Sequence, residues 1–204
     1  MSSSLTLRPG SSLTTRLRWP LREQKDDYLL WIGRMTADKG PHRAIAAARM
    51  AGVPLVLAGV IQPGQQAFFE REIAPQVDGD RVRFVGEVGG LAKRTLFAGA
   101  RGLLMPIRWE EPFGMVMVEA MACGTPVIAF PEGAACELVV EGTTGYLVAD
   151  EQAMAAAVSR LSAISPGRCR AWVAAHCDVD VVAAAYERVY RSVARASRPE
   201  LDRV

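Results

Sequence analysis

The chain has 204 residues, half of them apolar, which is enough for one sizeable hydrophobic core. Its 24 basic and 22 acidic residues give a net charge of +2 without any long basic stretch, which argues against nucleic acid as the main partner. The longest apolar stretches fall far short of the roughly 20 residues that span a bilayer, so we expect a soluble protein without a transmembrane segment.

The first 27 residues differ in composition from the rest of the chain, because serine, threonine and arginine are frequent there. This composition resembles an organelle transit peptide, but Pro9 and Pro20 would interrupt the amphipathic helix that such a peptide forms. A linker is therefore the favoured interpretation. We predict a flexible tail over residues 1–27, one folded domain over 28–196 and a disordered tail over 197–204.

Between residues 28 and 148, short runs rich in Val, Ile and Leu alternate with longer segments of helical periodicity. This alternation is typical of βαβ units, and continuous apolar runs indicate strands buried on both faces of a parallel sheet. The sequence therefore predicts an α/β fold, a doubly wound six-stranded parallel sheet with helices on both faces. The predicted strands are 28–32, 54–58, 81–85, 102–105, 126–129 and 146–148. The predicted crossover helices lie near 40–51, 64–75, 90–100, 113–123 and 134–140.

The pattern becomes purely helical after residue 148, with helices predicted near 150–163, 167–176 and 179–196. In the last of these helices, apolar side chains recur at helical spacing and mark one stripe among charged residues. The stripe consists of Val182, Tyr186, Val189, Tyr190 and Val193. It either packs on the chain's own sheet or takes a partner, and the pattern leaves both open.

Two cations frame the turn after the first predicted strand. Residues 33–40 begin with Gly33 and Arg34 and end with Lys39 and Gly40, at the start of a predicted helix. The Arg34 guanidinium can form a bidentate contact, Lys39 adds a compact charge, and the N-terminus of the helix favours anions. The turn can therefore hold a diphosphate, although taken alone these two side chains are better explained as solvated loop cations.

A second cluster of candidate residues follows the fourth predicted strand. Pro112 suits the entry to a helix, and Phe113 and Gly114 would present backbone N–H groups at its N-terminus. Glu111 precedes this helix, and Glu119 lies inside it, roughly 9 Å from Phe113 along the axis at 1.5 Å per residue. A carboxylate can accept two charge-assisted hydrogen bonds from a vicinal diol. A diphosphate that joins a sugar to a ribose could therefore sit on the helix end, with one carboxylate on each side.

Together these motifs resemble the C-terminal domain of the group 1, family 4 retaining glycosyltransferases with the GT-B fold. The resemblance rests on the Gly-Arg-x-x-x-x-Lys-Gly turn at 33–40, the Glu-Pro-Phe-Gly-x-x-x-x-Glu segment at 111–119, the Ala-Met-Ala-Cys-Gly-Thr-Pro-Val segment at 120–127 and the stretch at 142–148. No single motif is specific, but their combination is. The resemblance implies a Rossmann-like, nucleotide-sugar-binding domain over 28–196, the C-terminal half of a GT-B enzyme with extra C-terminal helices.

The resemblance also assigns roles to individual residues. The positions that match the family's donor ligands are Arg34 and Lys39 for the diphosphate, Glu119 for the ribose, Glu111 for the donor sugar, and the backbone amides of Phe113 and Gly114. Gly33 opens the diphosphate turn, and Val88 matches the base-binding turn. We take Arg34, Lys39 and Glu111 as the candidate catalytic residues, because positive charge beside a leaving phosphate stabilises its developing negative charge.

A metal site is not expected. Asp78 and Asp80 match the DxD metal motif of another glycosyltransferase fold, but they precede a predicted strand as an ordinary turn would. The four cysteines show no CxxC spacing, which favours reduced thiols and a cytoplasmic location over a structural metal site. The expected ligand is a UDP- or GDP-sugar, bound without a metal or another cofactor.

The resemblance implies sugar transfer from a nucleoside diphosphate to an unknown acceptor, with retention of configuration. In the family an acceptor-binding domain precedes this one, so we expect the chain to be inactive or incomplete alone. Its expected partners are a separate acceptor-domain subunit or a second copy of the chain, docked through the stripe of the last helix. Two alternatives remain open: half of a sugar-nucleotide 2-epimerase, or a non-catalytic nucleotide-binding module that regulates a full-length relative.

Overall fold

The computed structural model describes residues 19–196. Residues 1–18 of the predicted flexible tail and the predicted disordered tail at 197–204 lie outside the described residues. Within the described part, one six-stranded sheet forms, with the strand order β3-β2-β1-β4-β5-β6 and every neighbouring pair parallel. The strands are β1 (Leu29–Ile32), β2 (Leu55–Ala58), β3 (Val82–Phe84), β4 (Gly102–Met105), β5 (Val127–Ala129) and β6 (Gly145–Leu147). The predicted fold class is confirmed.

Helices connect the strands and then continue the chain beyond β6. They are α1 (Pro41–Ala51), α2 (Gln66–Phe68), α3 (Gly90–Gly99), α4 (Met115–Ala122), α5 (Ala135–Leu138), α6 (Glu151–Val158), α7 (Pro166–His176) and α8 (Val179–Ala196). The chain moves from β1 towards β3 in one direction and from β4 towards β6 in the other. Right-handed crossovers therefore put α1 and α4 on opposite faces of the sheet. In keeping with this, α1 packs against α6, and α4 packs against α7.

Three predicted helices are shorter or less regular than expected. The segment predicted at 64–75 is a composite, in which α2 continues as a π-helix at Phe69–Ile73 and a 3₁₀ turn at Ala74–Gln76. Pro75 lacks the N–H that an α-helix needs there, so regular hydrogen bonding cannot continue through it. The helix predicted at 134–140 keeps only the four residues of α5, and the one predicted at 150–163 ends at Val158, with a separate 3₁₀ turn at Leu161–Ala163.

The core lies on both faces of the sheet. All four residues of β1, β2 and β4 are buried, as continuous apolar runs in a covered parallel sheet require. Large side chains complete the two layers, and Trp31, Phe97 and Phe130 are each at most 1% exposed. The carboxyl ends of the two central strands, β1 and β4, are thereby held on a rigid support.

The segment before β1 packs against the domain. Trp19 contacts the ring of Phe97 edge-on, with 6.1 Å between centroids. The Lys25 ammonium donates to the carbonyl oxygens of Ala98 and Cys123 and to the Thr125 hydroxyl, all within 3.0 Å, and burial lowers the pKa of Lys25 to about 8. Trp19 and Lys25 therefore pack on the domain, although the sequence analysis places the domain boundary at residue 28.

The apolar stripe of α8 is on the surface rather than packed on the sheet. Tyr186, Val189, Tyr190 and Val193 are 56–67% exposed, and Val182 is 39% exposed. The Tyr186 and Tyr190 rings lie 6.2 Å apart, one turn from each other. Among the described helices, α8 included, none combines the length and apolarity needed to cross a bilayer. Docking of a partner on this exposed stripe stays a prediction.

Replacing both tyrosines of the stripe with aspartate, in the Tyr186→Asp, Tyr190→Asp variant, should abolish self-association without unfolding the domain. Because both rings are exposed, we expect the melting temperature to change by no more than about 2 °C, as surface substitutions usually cost under about 0.5 kcal/mol. Light scattering should show a mass above the 22.1 kDa of the monomer for the wild type, and a mass equal to that of the monomer for the variant. A monomeric wild type whose variant unfolds would show that the stripe is core.

Candidate functional site

The order of the strands reverses between β1 and β4, and the loops that follow these two strands meet at the same edge of the sheet. Ligands of doubly wound sheets bind at such a switch point. A cleft of about 260 Å³ opens here between the loops at 33–40 and 106–114. Among its lining residues are Gly33, Arg34, Lys39, Glu111, Phe113 and Gly114. The fold thus brings together six of the eight residues that the sequence predicted for the site.

Backbone contacts hold the loop after β1. The Gly33 N–H donates to the Ala58 carbonyl at 3.0 Å, and the Trp31 indole N–H donates to the Lys39 carbonyl at 3.1 Å. Gly40 has φ +72° and precedes α1, and a Cβ at this position would lie 2.3 Å from the Pro106 carbonyl oxygen. Position 40 therefore requires glycine for two reasons: the left-handed conformation of the backbone and the close approach of the two loops.

Lys39 and Glu111 face each other across the cleft, although they lie 72 positions apart in the chain. The Lys39 ammonium donates to Glu111 Oε2, and only 14% and 17% of the two side chains are exposed. The Trp109 indole N–H donates to the same oxygen at 3.1 Å, and the ammonium lies 4.5 Å from the centroid of the Trp109 ring. Partial burial favours a higher pKa for Glu111, but the hydrogen bond and charge of Lys39 outweigh it and lower that pKa below its usual value.

Arg34 contrasts with Lys39, because its side chain is exposed at the mouth of the cleft. Within residues 19–196 its guanidinium has neither a hydrogen-bond partner nor an ion-pair partner. A cation in this position keeps its full charge available to an incoming anion. The cleft therefore combines one neutralised cation, Lys39, with one available cation, Arg34.

The N-terminus of α4 forms the other wall of the cleft. Gly114 precedes the helix with φ +62°, and a Cβ there would lie 2.3 Å from the Met117 side chain. The first N–H groups of a helix lack acceptors within the helix, and the positive end of the helix dipole lies at the same end. Gly114, Met115 and Val116, at this end of α4, line the cleft. Phe113 is 71% exposed beside them. An anionic ligand can therefore be held by backbone donors on this side and by cations on the other.

Arg108 links the site to the outer strands. Its backbone N–H donates to the Asp38 carbonyl at 2.9 Å, which joins the loop after β4 to the loop after β1. Its guanidinium lies 4.1 Å from the centroid of the Phe130 ring and donates to Glu132 at 3.2 Å and to the Ala149 carbonyl at 2.8 Å. One side chain thereby ties together the loops after β4, β5 and β6.

Glu119 and Val88 are the two predicted residues that do not line the cleft between the loops. Glu119 lies on α4, is only 16% exposed, and pairs with Lys93 of α3, whose ammonium is 2.7 Å from Oε2 and 2.8 Å from Oε1. Val88 is half-buried in the loop that joins β3 to α3. Glu119 therefore contacts the helix that follows β3, and Val88 lies in the loop that leads into that helix.

Sequence reasoning missed Lys93 and Trp109, which contact predicted site residues, and Arg108, which joins the loop after β4 to the loop after β1. No spacing rule joins Lys93 to Glu119, because they lie on different helices and 26 positions apart. Trp109 was visible only as an apolar residue in a charged loop. Its place, two positions before Glu111, is the one signal that could have identified it.

The described residues contain no group of three or more His, Cys, Asp or Glu side chains that could hold a metal ion. The Asp78 carboxylate is occupied by a turn, because it accepts the N–H groups of Asp80 and Val82 at 2.9 Å each. These hydrogen bonds lower the pKa of Asp78. The DxD segment therefore forms a turn before β3, as the sequence predicted, and metal-free ligand binding stays a prediction.

Comparisons with known proteins agree with this geometry. A family model described as glycosyl transferases group 1 matches residues 14–175. Glycogen synthase of Mycobacterium tuberculosis is 31% identical over 198 residues, which are 89% of this chain and 47% of that protein. The chain spans 34% to 47% of the length of the first curated relatives that it matches.

Two solved structures show where this fold lies in larger proteins. Anabaena Alr3699/HepE, solved in complex with UDP-glucose, matches with a TM-score of 0.71 and 27% identity over 82% of this chain and 49% of that chain. The C-terminal domain of LpcC, a group 1 family glycosyl transferase from Francisella tularensis, matches with a TM-score of 0.67 over 81% of this chain and 98% of that domain. At 21% identity the second match shows the fold alone, which is that of a C-terminal GT-B domain.

The contact between Gly40 and Pro106 can be tested with a pair of glycines that differ only in their surroundings. Gly40 and Gly52 flank α1 with φ of +72° and +68°, but a Cβ at Gly52 would meet nothing within 4 Å. We expect Gly52→Ala to cost about 1–2 kcal/mol for the left-handed conformation, and Gly40→Ala to cost about 1–3 kcal/mol more because of the collision. Urea denaturation of both variants measures this difference. Equal losses would mean that the loops do not need this close approach.

Proposed function

The chain belongs to the group 1 glycosyl transferases, and on this basis we propose that it is the donor-binding domain of an enzyme that uses a UDP-sugar. The observation that carries the proposal is the ion pair of Lys39 and Glu111, which faces the N-terminus of α4 across the switch point. A cation beside an anion suits a ligand that places a phosphate next to a sugar, because the cation can bind the phosphate and the carboxylate can accept hydrogen bonds from the sugar hydroxyls. The complex of Alr3699/HepE with UDP-glucose supports the choice of donor.

The diphosphate would bind between Arg34, Lys39 and the first amides of α4. Its two negative charges attract the available guanidinium of Arg34 and the helix end, and they compete with Glu111 for Lys39. Transfer of the ammonium from the carboxylate to the phosphate would then leave Glu111 to accept hydrogen bonds from the sugar hydroxyls. Until the donor arrives, each side chain of the pair therefore has a partner of opposite charge and is largely shielded from solvent.

The ribose would bind to Glu119, beyond the diphosphate and towards β3. The Lys93 ammonium lies within 2.8 Å of both carboxylate oxygens and holds the carboxylate in place. An ionised carboxylate can accept from both hydroxyls of a vicinal diol. Val88 and its neighbours in the loop after β3 would then contact the base.

The chemical step requires that negative charge be stabilised on the leaving phosphate. Arg34, Lys39 and the α4 N-terminus supply positive potential before the reaction begins, so little reorganisation is needed during it. Retention of configuration and the participation of Glu111 are inferences from the family. The chain spans half or less of the length of its curated relatives. In the proposed function, transfer itself uses an acceptor-binding domain in addition to the domain described here.

The cysteines fit a reducing compartment, because within residues 19–196 all four are free thiols. Burial raises the pKa of the Cys123 and Cys169 thiols to about 12, which keeps them protonated and unreactive. The cytoplasmic location proposed from the sequence therefore stays a prediction that this chemistry favours.

UDP should bind to the isolated chain with the same dissociation constant with and without EDTA, because cations and amides are the proposed phosphate ligands. UMP, which lacks the second phosphate, should bind more weakly. Titration calorimetry measures all three. The metal-free proposal is wrong if the chelator abolishes UDP binding and magnesium or manganese restores it.

Glu119→Ala should weaken UDP binding by about 1.5–3 kcal/mol, the range for hydrogen bonds to a charged group. Pyrophosphate, which has no ribose, should bind almost as it does to the wild type. Glu187→Ala is the matched control, because Glu187 is also a helical glutamate paired with a cation, Arg191, but lies on α8 outside the site. Equal losses for UDP and pyrophosphate in the Glu119 variant would exclude a ribose contact.

A further inference from the structure

Trp109 contacts the ion pair of Lys39 and Glu111, but neither the sequence motifs nor the proposed donor contacts assign it a role. It lies two positions before Glu111 in the loop after β4, and 38% of it is exposed. It touches both members of the central ion pair, since its N–H donates to Glu111 at 3.1 Å and its ring lies under the Lys39 ammonium at 4.5 Å. A packing role alone would not account for both of these contacts in an exposed tryptophan.

The two side-chain hydrogen bonds to Glu111 converge on one carboxylate oxygen. Lys39 and Trp109 both donate to Oε2, within residues 19–196 no side chain donates to Oε1, and the Gly114 N–H adds a backbone hydrogen bond to the carboxylate. Because a carboxylate has about four acceptor positions, Oε1 can still accept from a ligand. Because Trp109 is in the same loop as Glu111, its hydrogen bond does not depend on the position of the loop after β1.

Donor binding as proposed above changes the two contacts differently. A diphosphate competes for the Lys39 ammonium, so the hydrogen bond from Lys39 to Glu111 weakens when the donor arrives. The indole N–H is neutral and has no comparable attraction to phosphate. Trp109 is then the side chain that continues to hold Oε2, while its ring face still supports the shifted cation.

We propose that Trp109 positions Glu111 for the donor sugar, and so determines how strongly the site distinguishes a nucleoside diphosphate sugar from the nucleoside diphosphate alone. The inference rests on the proposed function. Trp109 is a positioning residue in this scheme, because it acts on the sugar through the Glu111 carboxylate. The hydrogen bond at Oε2 fixes the orientation of the carboxylate. This orientation sets the direction in which Oε1 accepts a hydrogen bond from the sugar hydroxyl.

Trp109→Phe tests the proposal, because phenylalanine keeps a ring face for Lys39 and removes only the N–H donor. Titration calorimetry with UDP and with UDP-glucose should show a Kd for UDP-glucose raised roughly three- to tenfold, the effect of one hydrogen bond. The Kd for UDP should stay within about twofold. Trp172→Phe is the control, because Trp172 stacks on His176 in α7, away from the cleft, and should leave both values unchanged.

A double-mutant cycle with Glu111→Ala separates positioning from a general structural effect. If Trp109 acts through Glu111, Trp109→Phe should have no further effect on UDP-glucose binding once that carboxylate is gone. An equal loss for UDP and UDP-glucose, an undiminished loss in the Glu111→Ala background, or unfolding of Trp109→Phe would overturn the proposal. A wild type that binds neither ligand would instead contradict the proposed function itself.

Discussion

The contact between the loop after β1 and the loop after β4 is the constraint on which the rest of the site depends. Gly40 leaves room only for a hydrogen atom beside the Pro106 carbonyl, and the Arg108 N–H joins the Asp38 carbonyl at 2.9 Å. The reversal of strand order places these loops side by side, and the two contacts fix the distance between them. Lys39 and Glu111 can therefore meet although they come from different strands.

Pairing of opposite charges explains how the site stays stable without a ligand. Two largely buried ions would each be costly alone, but together with the Trp109 N–H they satisfy one another. The pair of Glu119 and Lys93 repeats this arrangement on the β3 side. In the proposed mechanism, groups of the donor take over contacts that the charged side chains of these pairs make with one another. Each charged side chain therefore keeps a partner when the donor binds. The affinity of the site is then a difference between two sets of charge-assisted hydrogen bonds.

Two surfaces of the domain are open in ways that fit a partner. The cleft of about 260 Å³ is below the roughly 300–1,000 Å³ of pockets that enclose a small molecule, which fits the proposal that a second domain completes the binding site. The apolar stripe of α8 is exposed along several turns. The rigid sheet and the Arg108 contacts to the outer loops hold the cleft wall in place, so a second body could add the opposite wall without rearranging the first.

Local sequence pattern determined the class of the fold and most residues of the candidate site. Buried apolar runs marked the six strands because both faces of a parallel sheet are covered. The two turns proposed to bind phosphate were visible because glycine, cations and helix entry lie within a few positions of each other. Only the tertiary structure decided what depends on distance between elements: the partners Lys93 and Trp109, the link made by Arg108, the packing of Lys25 on the domain, and the exposure of the α8 stripe. Helical periodicity shows that a stripe exists, but not what covers it, and a side chain's partner 26 or 72 positions away is chosen by strand order and loop contacts, which no local pattern contains.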